Sequence, residues 1–173
     1  MNLTPAEGRA LGVLIEKEAI CPDLYPLTPL RVWMGCNQKD FRKPRMIVHM
    51  DDVLEALEGL STHGLAKTSK GRCYQRWSHT LSFDHRTTIL IGALLLRGPS
   101  TPGELRYWTS RIHRFPTNES VIQLLQACPC AKLKGKRWIQ TLTSEQPIQY
   151  EQELIDLKAR LSWLEASLIQ RCP

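Results

Sequence analysis

The chain has no long apolar run: its longest, Ile89 to Leu96, falls far short of the twenty or so residues a membrane-spanning helix needs. No basic stretch leads into an apolar run after Met1-Asn2-Leu3-Thr4-Pro5, so no secretory leader is expected and a cytoplasmic location is. Aromatic residues make up only 7% of the sequence, with three phenylalanines. No glycine-rich phosphate loop, nucleophile elbow or zinc-protease motif is present. The five histidines (His49, His63, His79, His85 and His113) are scattered, without a cysteine or carboxylate at useful ligand spacing. The adjacent Glu16, Lys17 and Glu18 point in different directions on a helix, which suits surface or interface ion pairs better than an acid–base pair. These absences point away from an enzyme, and no cofactor is expected.

The six cysteines follow no disulfide framework, so reduced thiols are expected. Cys128-Pro-Cys130 is the only close pair, read either as half of a metal or redox site or as small buried residues. What the chain does have is the composition of a globular protein, 42% hydrophobic and 23% charged over 173 residues, with a net charge of +6. That charge favours anionic partners. Its placement is uneven. Lys39, Arg42, Lys43 and Arg45 form one cluster, Lys67, Lys70, Arg72 and Arg76 a second, and Lys132, Lys134, Lys136 and Arg137 a third, whereas acids outnumber bases in the last segment.

Local signals lay out one plan twice. Thr4-Pro5-Ala6-Glu7 combines an N-cap threonine, a proline at the first helical position and a glutamate three residues after the cap, so a helix starts there. Leu11, Leu14, Ile15 and Glu18 predict a single apolar stripe running to Cys21-Pro22. Tyr25-Pro26-Leu27 is extended, Thr28-Pro29 begins a second helix through Cys36, and Val53, Leu54, Leu57 and Leu60 predict a third that ends at Gly64. Strands over 65–69 and 73–77, joined through Lys70-Gly71-Arg72, complete the first half as a hairpin. In the second half, 87–96 predicts a helix and Thr101-Pro102-Gly103-Glu104 caps another that runs through Ile112. A third carries Val121, Ile122, Leu124 and Leu125, and strands at 131–134 and 138–142 flank Gly135.

A helix-turn-helix core with an appended hairpin is the winged helix, so the expected fold is mainly α with small β-hairpins, an α+β chain of tandem winged-helix domains. The boundaries read as 1–80 and 81–144, followed by a coiled-coil-like helix over 145–173. Each half has apolar residues for only a small core, and packing the halves together would help both. In the last segment Leu154, Leu157, Leu161, Leu164 and Leu168 alternate three and four apart, as in a coiled-coil seam. They predict either dimerisation, making a homodimer, or a helix lying back on its own domains.

Two stretches, Gly12-Val-Leu-Ile-Glu-Lys-Glu18 with Cys21-Pro-Asp-Leu-Tyr-Pro-Leu27 and Gly35-Cys-Asn-Gln-Lys39, resemble the first half of the bacterial YceH-like family of uncharacterised proteins. Leu94-Leu-Leu-Arg-Gly-Pro99, Thr101-Pro-Gly-Glu-Leu-Arg106 and Arg111-Ile-His-Arg-Phe115 resemble its second half. The resemblance implies a tandem winged-helix fold in a bacterial cytoplasm, often with a trailing helix, and brings no established activity. The chain departs from the family pattern at Asp40-Phe41-Arg42 and Lys43-Pro44-Arg45, and in a short second hairpin.

Two functions are expected to compete. In helix-turn-helix proteins the third helix enters the major groove while wings grip phosphates. The first such helix carries Asp51, Asp52, Glu55 and Glu58, which would repel a phosphate backbone; the second carries Asn118, Ser120, Gln123 and Gln126, whose amides suit adenine edges, with Glu119 as the opposing charge. A double-stranded DNA interface is therefore expected to use Gln123 and Gln126 with the cations Lys39, Arg42, Lys43, Arg45, Lys70, Arg72, Arg106, Arg111, Arg114, Lys134, Lys136 and Arg137. The alternative is a protein–protein adaptor, in which the acidic helix and the leucine seam meet a protein partner.

Overall fold

The computed structural model describes residues 2–143; the leucines of 145–173 named above lie outside them. The first helix, α1 (Pro5–Ile20), starts at Thr4 with both capping-box hydrogen bonds: the Glu7 N–H donates to the Thr4 hydroxyl, and the Thr4 N–H donates to the Glu7 carboxylate. A turn of 3-10 helix at Pro22–Leu24 leads to α2 (Pro29–Cys36), then α3 (Met50–Thr62), β1 (Ala66–Ser69) and β2 (Arg72–Gln75). After a short α4 (Trp77–Leu81), the order helix, helix, helix, hairpin returns as α5 (His85–Arg97), α6 (Pro102–Thr109), α7 (Asn118–Ala127), β3 (Ala131–Lys134) and β4 (Arg137–Gln140). This is the expected winged-helix-like α+β class.

The repeat extends to backbone pairing. In each half the residue just before a Thr-Pro helix start pairs with the second residue of the second hairpin strand. Leu27 exchanges backbone hydrogen bonds with Cys73 at 3.1 and 2.6 Å, and Ser100 does so with Trp138 at 2.9 and 2.8 Å. The stretch before α2 or α6 thus supplies a third, minimal strand to each hairpin. The first hairpin turns through Lys70 and Gly71, both at positive φ (50° and 70°), the backbone of the tight turn that Gly71 signals.

Four local readings shift. Trp77 leaves the second strand to begin α4, where it is fully buried and its ring lies 5.6 Å from that of Phe83. The second helix of the second half stops at Thr109, so Ile112 sits in the following turn. The last strand ends at Gln140 rather than at 142. Finally, α1 is not a one-striped helix: every residue from Glu7 to Ile15 is buried.

That burial follows from α1's position. It packs on α2 and α3 of its own half and on α5 of the other, and a single hydrophobic cluster runs from Leu3 through Leu14, Leu60, Leu90 and Leu105 to Trp138. Glycines set the distance. A Cβ at Gly12 would lie 2.9 Å from two Leu96 carbons, and one at Gly92 would lie 2.6 Å from Ile15. Because Gly8 faces Leu95 while Gly92 faces Ile15, α1 and α5 run antiparallel. The chain start is strapped to the same body, with the Leu3 N–H donating to the Leu142 carbonyl at 2.7 Å.

The basic stretch 39–45 is laced onto this helix pair, which corrects one expectation. Arg42 does not face solvent. It is 3% exposed, and its guanidinium donates to the Glu16 carboxylate (2.6 and 3.3 Å), the Gly35 carbonyl (2.9 Å), the Gln38 side chain (3.1 Å) and the Phe41 carbonyl (3.1 Å). Arginine alone offers enough donors for that set, and with them engaged nothing is left for a phosphate. The Lys43 N–H donates to the Leu96 carbonyl at 2.8 Å, and buried Arg9 donates to the Pro44 carbonyl. Arg9 is held down to a pKa of about 10, chiefly by burial and then by the charge of Arg42. Burial alone would raise the Glu16 carboxyl, but the hydrogen bond and charge of Arg42, with Lys17 beside it, outweigh that and hold it below the usual carboxylate value.

Replacing a helical glycine by alanine normally stabilises by up to about 1 kcal/mol, which is the expectation for Gly103, whose added Cβ meets nothing within 4 Å. Gly12→Ala is instead expected to destabilise by about 1–3 kcal/mol in urea unfolding through overpacking against Leu96, and a gain there would refute the close α1–α5 contact. Arg42→Ala leaves the half-buried Glu16 carboxylate with Lys17 alone, at 3.5 Å, and is expected to lose about 3 kcal/mol, the low end for a broken buried pair. Because Glu16 has a lowered folded-state pKa, its contribution is present above the unfolded carboxylate value and fades as pH falls through the lowered one. The urea midpoint of the wild type should therefore fall more steeply on acidification than that of Glu16→Gln.

Candidate nucleic-acid interface

Three groups of cations and one amide-bearing helix face are the parts of an interface. Thr117 caps α7 by accepting from the Ser120 N–H at 3.2 Å, and Val121 and Leu125 turn into the core. Glu119, Gln123 and Gln126 follow at spacings of four and three, so they share the opposite face, and all are exposed. The Glu119 carboxyl is drawn below its usual pKa by hydrogen bonds from its own backbone N–H and the Thr117 hydroxyl, which folds it back onto the helix start. The outward face of α7 therefore carries the two neutral amides with an ionised Glu119 at its start.

Arg106 is half-buried, and its guanidinium donates to the carbonyls of Phe115 (3.2 Å) and Pro116 (2.8 Å) and to Asn118 Oδ1 (3.2 Å). These bonds tie α6 to the turn before α7 and to the first turn of α7, and use three of its five N–H donors. Arg111 and Arg114 on that turn are exposed.

On the second hairpin, the register pairs Lys132 with Ile139 and Lys134 with Arg137, so these four share one face while Leu133 and Trp138 share the other. Lys132, Lys134, Lys136 and Arg137 are all exposed. Arg137 is tied to α6, donating to Glu104 at 2.9 Å and to the Pro99 carbonyl at 2.9 Å. Glu104 is held below the usual carboxylate pKa first by the backbone N–H of Thr101 and then by the Thr101 side chain and Arg137. The first hairpin presents Lys67, Lys70 and Arg72, with Arg72 in a long 3.4 Å contact to the Pro26 carbonyl.

The groups are not gathered into one patch. Exposed Lys39, Lys43 and Arg45 lie on the stretch bonded to Leu96, and the second hairpin is bonded to Pro99 and Ser100, so both flank the α5–α6 turn. The first hairpin is fixed instead near the C-terminal end of α1, where Gln75 donates to Glu18 at 2.6 Å and its N–H donates to the Tyr25 hydroxyl. Since α1 and α5 are antiparallel, the two hairpins are anchored near opposite ends of the helix pair. Asp51, Glu55 and Glu58 of α3 are exposed, while Asp52 accepts from the His49 N–H at 2.7 Å as part of a cap.

The cysteine pair holds a buried Cys128 and a half-buried Cys130; burial pushes both thiols up, Cys130 to about 11. Neither is a ready thiolate. Among the described residues no three potential metal ligands gather, and no helix is long and apolar enough to cross a membrane. Sequence reasoning missed one feature, a cleft where Phe41, Arg97, Tyr107 and Trp108 meet.

Residues 3–147 match the family described as "Protein of unknown function, DUF480". A UPF0502 protein of Cupriavidus taiwanensis is 42% identical over 123 residues, covering 69% of this chain and 51% of that protein. One of Paraburkholderia phymatum is 41% identical over 128 residues (72% and 55%), and one of Burkholderia pseudomallei is 42% identical over 124 (69% and 53%). The chain thus spans about half the length of the curated relatives it matches. With nearly all of the described residues matched, the chain with this doubled helix-and-hairpin order belongs to the DUF480 (UPF0502) family of bacterial proteins, in keeping with its YceH-like motifs.

Proposed function

We propose that this protein binds double-stranded DNA, with α7 in the major groove and the β3–β4 hairpin on the sugar-phosphate backbone. The observation that carries this reading is the outward face of α7, where Gln123 and Gln126 stand exposed on a helix that packs against β3 and follows the 110–117 turn, both of which carry exposed cations. A glutamine amide pairs with both adenine edge groups in the major groove. Lysines and arginines around such a helix supply affinity without sequence information. Arg106, by clamping Asn118 and the turn before it, positions α7 rather than touching DNA. The first half stands outside this face: its hairpin cations Lys70 and Arg72 are anchored near the other end of the α1–α5 pair, and the exposed carboxylates of its third helix oppose a phosphate backbone. The leucine-spaced residues 145–173 are assigned to homodimerisation, which would offer two copies of α7 to a two-fold site. In this reading the protein works by binding, in a bacterial cytoplasm, without catalysis.

A protein adaptor is the second reading, favoured by the first half. Leu30 (54% exposed), Met34 (59%) and Ile47 (77%) are unusually open for apolar side chains, and the acids of α3 lie in the same half. Such a surface fits a partner with apolar contacts and a basic rim.

Fluorescence anisotropy of the full chain with labelled duplex DNA separates the two. Binding is expected at about 50 mM salt, and if about six phosphates are neutralised it should fall on the order of a thousandfold by 200 mM. Gln123→Ala with Gln126→Ala should flatten preference among sequences. Lys132→Glu with Lys136→Glu should weaken all duplexes alike and lower the salt slope by about two. Absence of low-salt binding would remove the DNA reading and leave the adaptor.

A further inference from the structure

The cleft that joins the two halves at their surface lies apart from Gln123, Gln126 and the second hairpin, with Arg111 of the 110–117 turn among its lining residues. The residues at its centre come from three elements. Phe41, on the stretch after α2, is held at φ 64° with its ring 60% exposed. A phenylalanine in the left-handed region is a rare and strained backbone state, and such strain collects at sites where a side chain must be aimed. The ring is aimed at Arg97, the last residue of α5, whose guanidinium carbon lies 4.7 Å from the Phe41 ring centre and 4.8 Å from that of Trp108 on α6. Both rings engage the cation through their π faces.

The edge of that guanidinium is unused. Arg97 is half-buried, yet among the described residues it makes no hydrogen bond or ion pair. A guanidinium carries five N–H donors in a fork that matches phosphate oxygens in pairs. Here its orientation is fixed by two rings, so little freedom is lost when an anion arrives.

Two hollows meet at this arginine. One, of about 380 Å³, has an apolar floor of Ile15, Ile89, Ala93 and Leu96 and is flanked by Tyr107, which is 76% exposed. The other, of about 360 Å³, is lined by Lys39, Lys43 and Arg45 together with buried Arg42, against a single acid, Asp40. Phe41, Arg97 and Trp108 line both. Each volume is at the lower end of small-molecule pockets. One hollow suits a flat apolar ring, the other a multiply charged anion, and the residues between them suit the join. We infer that this double cleft binds a nucleoside phosphate, its base against the aromatic side chains and its phosphate on Arg97 and the loop lysines. The inference does not depend on DNA binding, since neither Gln123, Gln126 nor the second hairpin lines the cleft.

The experiment is an NMR titration of the full chain with adenosine monophosphate, and separately with adenosine and with inorganic phosphate. The reporters are the Trp108 indole N–H and the Arg97 Nε–H. Adenosine monophosphate is expected to shift both and to bind at least about tenfold more tightly than either half alone. Arg97→Lys keeps the charge but not the flat fork, and should weaken it by about tenfold or more. Phe41→Gly relieves the backbone and should keep or raise the melting temperature while weakening binding, which unfolding would not do. Gln123→Ala with Gln126→Ala should leave the titration unchanged. The inference is overturned if about 1 mM adenosine monophosphate moves neither reporter, if phosphate alone binds as well, or if Arg97→Lys has no effect.

Discussion

The glycine-spaced contact between α1 and α5 is the constraint on which the rest of the structure depends. Each half, with three short helices and a two-stranded hairpin, encloses too little apolar surface to be secure alone. Gly12 against Leu96 and Gly92 against Ile15 let α1 and α5 approach until their side chains share one core. Everything functional is then referred to this pair. The first hairpin is tied to the end of α1, the second to the turn after α5, and the 39–45 stretch is bonded down across both.

Polar groups complete what apolar packing starts. A buried ion pair gives little net stability when compared with a well-packed apolar replacement, but it is strongly directional. Arg42 shows the use of that directionality. By gathering Glu16, Gly35 and Gln38 it holds a loop with no secondary structure of its own in one shape, and that shape sets Phe41 over Arg97. Arg106 does the same for the turn before α7. Arg42, a cation that a sequence reading assigns to a ligand, is instead internal scaffolding.

How far the sequence speaks depends on whether a feature is local. The Thr-Pro starts at Thr4, Thr28 and Thr101, and the glycines at Gly71 and Gly135, act within a few residues, and each marks the expected boundary in the structure. The all-round burial of α1 could not be read, because a helix enclosed through glycine contacts has low apolar contrast between its faces. Trp77 looked like the end of a strand, since its burial depends on Phe83 and α5 rather than on its neighbours. Arg42 carried no mark of being buried, because its partner Glu16 lies 26 residues away. The cleft was invisible for the same reason: Phe41, Arg97 and Trp108 become neighbours only once α1 and α5 have packed.

The third-strand pairings have one more consequence. Leu27 and Ser100 occupy the outer side of β2 and β4, so among the described residues each miniature sheet keeps one open margin, along β1 and β3. An unpaired strand margin is a template on which another chain can polymerise, and lysine is a residue proteins place there to prevent it. Lys67 on β1 and Lys132 and Lys134 on β3 are therefore guards against fibrous self-association, whatever else they touch, and their removal would be felt first in the protein's behaviour at high concentration.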